Sequence, residues 1–156
     1  MTSERQDPDG FSPLERAAWG GLLTTSTRLG RLVERDLLDR FGMSHPEFEV
    51  LLRLSFAEGG RMRIQDLAAD SILTASGISR VVERLQRAGQ VTRESAPEDR
   101  RGAYAVITER GLGTFRAAAA AHIALVRAEF LDRFDDDELE AMAALWQRLE
   151  EDGASR

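Results

Sequence analysis

The stretch "SGISRVVERLQRAG", residues 76–89, decides the fold. Ile78, Val81, Val82 and Leu85 recur at i, i+3, i+4 and i+7, which makes a narrow apolar stripe along one side of a helix. The other side carries Ser76, Ser79, Arg80, Glu83, Arg84 and Arg87. Thr74 or Ser76 can cap the start. Gly89 stands where a left-handed residue ends a helix. Such a helix buries one thin edge and displays hydroxyl and guanidinium groups on the rest.

The flanks extend the pattern. Downstream, "VTRE" (91–94) and "AYAVI" (103–107) read as two strands, and their connector "SAPEDRRG" is rich in turn formers. Upstream, "IQDLAAD" predicts a short helix burying Ile64, Leu67 and Ala68. Before it, Ser44 and Glu47 have capping-box spacing and Pro46 fits a first helical turn. That helix is expected to turn Phe48, Leu51, Leu52 and Ser55 inward and to stop at Gly59 and Gly60. Helix, turn, amphipathic helix and two-stranded ribbon together make a helix-turn-helix carrying a wing. The fold class is therefore mostly α, with a small two-stranded β wing.

Arg100 and Arg101 fall at the wing tip, where almost nothing can bury them. A rigid hairpin can push arginine into the narrow, strongly negative minor groove of DNA. Pro97 stiffens the approach, Gly102 lets the chain turn back, and Asp99 is expected to pair with a nearby arginine. Charge agrees with this placement. The protein carries a formal net charge of −6, yet residues 61–101 hold eight arginines against six acids. Residues 129–152 hold ten acids and two arginines. All 21 basic residues are arginine, which favours bidentate bonds to phosphate and guanine.

The ends of the 156-residue chain read as long helices. Residues 13–41 place Leu22, Leu29, Val33 and Leu37 near the helical period, and Gly42 ends the run. Thr108 can cap a helix from Glu109 toward Leu131. Asp135, Asp136 and Asp137 suit the start of a last helix, which carries Leu139, Met142, Leu145, Trp146 and Leu149. One winged domain offers too few partners for both ends, so these helices are expected to pack against a second copy. The predicted division is a disordered 1–11, a dimerization helix within 12–43, a winged domain over 44–108, and dimerization helices over 109–152.

Other functions find little support. There is no cysteine, which excludes disulfides and thiol redox sensing. Two isolated histidines, His45 and His122, argue against a histidine-based metal site within one chain. No G-x-G-x-x-G, Walker loop, H-E-x-x-H or G-x-S-x-G occurs, so neither an enzyme nor a cofactor is expected. No apolar run reaches 18 residues, which points to a cytoplasmic protein with no membrane partner. The rival to DNA binding is a winged helix that mediates protein contacts instead.

Four motifs carry a family resemblance: R-V-V-E-R-L-x-x-x-G from Arg80, V-x-R from Val91, P-x-D-R-R from Pro97 and T-E-x-G from Thr108. With these the chain resembles the multiple-antibiotic-resistance regulator (MarR) family. The resemblance implies a homodimeric transcriptional regulator, a repressor by default, bound to a pseudo-palindromic site on double-stranded DNA. It maps the base-reading residues to Ser76, Ser79, Arg80 and Arg84, and the wing tip to Asp99, Arg100 and Arg101. It also implies a small anionic or phenolic effector where the dimerization helices meet the winged domain. Trp19, Arg28, His45 and Phe48 are the candidate residues there.

Overall fold

A computed structural model of the chain describes residues 10–69, 74–96 and 102–154. Helix α1 (Pro13–Phe41) begins at a reciprocal cap. Glu15 donates its amide to Ser12 Oγ (3.2 Å), and the Glu15 carboxylate accepts the Ser12 amide (2.8 Å). It ends at Gly42, whose φ of 60° is the left-handed conformation that closes a helix without a side-chain penalty. Only Val33 and Leu37, in its second half, are buried. The first half leaves Leu14, Trp19, Leu22 and Leu23 exposed.

Helix α2 (His45–Phe56) packs at the centre of the winged domain. Its buried residues are Phe48, Val50, Leu51 and Leu54. Sequence periodicity put Leu52 and Ser55 on the buried face instead; both are only half-buried. The difference arises because α2 is covered on several sides, so the apolar arc is wider than one stripe. A 3₁₀ turn over Glu58–Gly60 leads to strand β1 (Arg61–Arg63) and helix α3 (Ile64–Ala69), which buries Leu67.

Helix α4 (Ala75–Arg87) buries Ile78, Val81, Val82 and Leu85, the four positions of the predicted stripe. Its cap is Thr74, whose Oγ1 accepts the Gly77 amide at 3.2 Å. Strands β2 (Val91–Ser95) and β3 (Ala103–Ile107) form the wing. The sheet has three strands rather than the expected two, in the order β1-β3-β2, all antiparallel. The two sheet faces differ. Ala105, paired with Met62 and Arg93, is fully buried toward the helices, while Tyr104 and its partner Glu94 lie on the opposite face.

Helix α5 (Glu109–Glu129) starts at Thr108. The Thr108 hydroxyl accepts the Gly111 amide (3.0 Å) and donates to the Gly89 carbonyl (2.8 Å), while the Thr108 amide donates to the Gln90 carbonyl (3.0 Å). The end of α4 and the start of α5 are thus tied directly together. After a 3₁₀ turn at Leu131–Arg133, helix α6 (Asp136–Ala154) is capped by Asp135 and Glu138, each accepting the other's amide. No described side chain of α6 is buried. Leu145, Trp146 and Leu149 face out.

Candidate nucleic-acid interface

The face of α4 opposite its buried stripe is open and polar. Ser76 and Arg80 are exposed and Ser79 is half-buried. The Ser76 hydroxyl lies 3.1 Å from Thr74 Oγ1, at the helix start, where unpaired backbone amides favour an anion. Arg80 makes no ion pair with another described residue. Arg87 sits 4.0 Å from Glu83 on the same helix. Arg84 is placed differently from Arg80. Its Nε donates to Glu47 Oε1 of α2 (3.0 Å), and its Nη2 donates to Ser44 Oγ (3.3 Å).

A groove of about 340 Å³ runs from the first half of α4 to the start of α3 and the base of the wing. It brings Arg63 and Arg93 beside Ser79. Sequence reading missed both arginines. The signal was present for Arg93: Val91 is buried, and period-two alternation puts Arg93 on the same side of the strand. Arg63 left no such trace, because β1 pairs with a strand 41 residues away and Arg63 is placed by that pairing. On the outer face Arg61 stacks on the Tyr104 ring (4.0 Å to the centroid) and approaches Glu94 (3.8 Å).

Asp99, Arg100 and Arg101 lie outside the described residues. The base that carries them is in place. The Ala96 amide donates to the Gly102 carbonyl (3.1 Å), just beyond the last ladder pair, Ser95 with Ala103.

The four effector candidates do not converge within the chain. Phe48 is a core residue, 4% exposed, flanked by the rings of His45, Phe115 and His122. Trp19 is half exposed near the other end of α1, roughly 27 Å from Leu37 by helical rise. Arg28 is bound to Glu129 of α5, both to the carboxylate (2.9 Å) and to the backbone carbonyl (3.3 Å). Arg28 lines a separate cleft of about 470 Å³ with Phe130, Phe134, Met142 and Trp146. The tryptophan at that cleft is Trp146, not Trp19.

Burial pushes the His122 imidazole below its ordinary pKa of 6.5, and His45 adds to the effect against an opposing pull from Asp36. Folding therefore favours the neutral ring. The unfolded chain takes up the proton first as pH falls, so stability is full above pH 6.5 and declines as pH drops through the lower folded value. Melting temperature is expected to fall on acidification from pH 7.5 to 5.5 by more in the wild type than in His122→Gln. Parallel declines in the two proteins would remove His122 from the pH response.

No group of three or more potential metal ligands occurs among the described residues, and no described helix is long and apolar enough to cross a membrane.

The MarR family model matches residues 41–102. The HTH-type transcriptional regulator MhqR of Bacillus subtilis is 31% identical over 113 residues, covering 72% of this chain and 75% of that protein. The crystal structure of AbsC, a MarR family transcriptional regulator from Streptomyces coelicolor, is 34% identical and superposes with a TM-score of 0.85. That match covers 94% of this chain and 98% of AbsC. Sco3205 from the same organism, a MarR family regulator solved in complex with DNA, is 28% identical with a TM-score of 0.85. It covers 93% of this chain and 91% of that one. With a winged sheet beside a helix whose polar face is open, and with relatives alike over nearly the whole length, the chain belongs to the MarR family of DNA-binding transcriptional regulators.

Proposed function

We propose that the protein is a homodimeric repressor that reads a pseudo-palindromic operator. The observation that carries this reading is the open α4 face, with Arg80 exposed beside a groove holding Arg63 and Arg93. In this reading two copies of α4 enter successive major grooves, with Ser76, Ser79 and Arg80 toward base edges and phosphates. Arg63 and Arg93 face the backbone, where guanidinium groups form paired bonds to phosphate oxygens. Asp99, Arg100 and Arg101 bring the wing tip to the flanking minor groove.

The apolar residues that the chain leaves uncovered support the dimer. Leu14, Trp19, Leu22 and Leu23 on α1, and Leu145, Trp146 and Leu149 on α6, are exposed together with Phe11. Apolar surface on that scale is the mark of an interaction surface. A second copy supplies the same helices with twofold symmetry. Repression follows from occupancy, since a bound promoter is closed to polymerase. Control by a small aromatic or phenolic anion is part of the reading, with the cleft between α1 and α6 offering aromatic walls and Arg28 at its edge.

Selection from a random duplex pool by the full-length protein is expected to return an inverted repeat. Its half-sites should be centred about one helical turn, 10–10.5 base pairs, apart. Sedimentation should give twice the 17.3 kDa chain mass at micromolar concentration. A monomer bound to a single asymmetric site, or no enrichment of any sequence, would refute the proposal; the second outcome would favour a protein-binding winged helix.

A further inference from the structure

The first turn of α2 makes more directional contacts than a helix start requires. Glu47 Oε2 accepts both the amide (2.8 Å) and the hydroxyl (2.7 Å) of Ser44, which already completes the cap. Its other oxygen, Oε1, takes Arg84 Nε from α4 at 3.0 Å. The neighbouring His45 amide donates to Glu34 Oε2 of α1 at 2.8 Å. One helical turn thus holds three helices through bonds of fixed direction.

Those directions matter because the rest of the α4 seat is apolar. Burial of Ile78, Val81, Val82 and Leu85 resists pulling α4 away, but the hydrophobic effect is non-directional and does little to fix rotation about the helix axis. A guanidinium fork on two separate oxygens does fix it. Arg80 lies one turn before Arg84, so holding Arg84 sets where Arg80 points. Charge favours keeping Arg84 in this bond. The Glu47 side chain is 13% exposed; swinging Arg84 to a phosphate strips that carboxylate of its cation just where DNA adds negative charge.

We propose that Arg84 is a positioning residue held by Glu47, and that the first turn of α2 is the joint through which α1 sets the angle of the recognition helix. The inference rests on the reading of the α4 face as the DNA-reading surface, and it removes Arg84 from the residues that touch DNA.

The test uses full-length Glu47→Gln, Arg84→Ala and the double variant. Glutamine keeps an oxygen for the Ser44 amide and replaces the oxygen that accepts Arg84 with an uncharged NH2 donor. Binding is measured to the duplex selected by the wild type and to a random duplex, across a salt series. Each single variant is expected to weaken selected-duplex binding by about five- to tenfold, the net scale of one ordinary hydrogen bond. The double variant should be no weaker than the weaker single. Discrimination against the random duplex should fall, and the slope of log K on log salt should not change. Loss of stability alone does not alter discrimination at temperatures well below melting. If Glu47→Gln instead binds as well as or better than wild type, and Arg84→Ala flattens the slope by about two ions per dimer, Arg84 contacts phosphate and the joint is refuted. Should the wild type select no duplex, the DNA-reading function fails and the joint is judged in the free protein. There α4 amides should exchange hydrogen several-fold faster in either single variant and no faster in the double. Unchanged or additive exchange overturns the joint.

Discussion

Gly111→Ala is expected to lower the melting temperature by about 10 °C. Gly111 is the third residue of α5 and is buried. A Cβ there meets the Gln90 carbonyl oxygen, and lies 2.9 Å from the Gln90 carbonyl carbon and 3.0 Å from Ile107 Cγ1. The carbonyl cannot retreat cheaply, because it accepts the Thr108 amide at 3.0 Å. Overpacking against backbone costs about 3 kcal/mol, at the upper end of its usual range. For a chain of this size each kcal/mol moves the melting point by roughly 2–4 °C. Gly113→Ala is the control: it lies in the same helix with nothing within 4 Å of its added Cβ. Alanine there should be neutral or stabilising by up to about 1 kcal/mol. Circular dichroism melts of the two variants check both statements, and similar melting points for them would show that α5 does not approach Gln90 this closely.

Arg80→Ala is expected to leave melting unchanged while weakening the selected duplex between roughly thirtyfold and twenty-thousandfold. The range follows from about 1–3 kcal/mol for a bidentate base contact, lost in both copies of a dimer. The free protein has little to lose, because Arg80 is exposed and pairs with no described residue. Binding should become tolerant of substitution at one base pair in each half-site. Fluorescence anisotropy on a panel of singly substituted duplexes reads that pattern. Uniform weakening on every duplex would make Arg80 a phosphate contact, and unchanged affinity would take the α4 face out of recognition.

Local signals made much of this fold legible. The α4 stripe, the Thr108 cap and the bounds of α1 each depend on residues within one or two turns of each other, where periodicity and capping chemistry act. The T-E-x-G motif also acquires a physical cause, since Gly111 is the residue that lets α5 start against Gln90. What was missed depends on partners far along the chain. Strand β1 is three residues long, two of them arginine, and exists because β3 is there to pair with it. Val50 and Leu54 are core because α2 is covered on more than one side, which a single-stripe pattern does not express. Arg80 and Arg84 look equivalent in sequence; the acid that separates their roles lies 37 residues before Arg84. The effector candidates were chosen for chemistry near the expected cleft, and folding sends Phe48 into the core and Arg28 to Glu129.

The tie between Thr108 and the Gly89–Gln90 turn makes a lever of α5. With 21 residues at 1.5 Å each, the helix reaches about 31 Å from that fulcrum. Its far end, Glu129, is gripped by Arg28 of α1. A shift of roughly 3 Å at Glu129 therefore arrives at the fulcrum as a rotation of only about 5°, given that arm length. On that arm length alone, a coarse displacement at the terminal helices would reach the α4–α5 junction as a small change of angle.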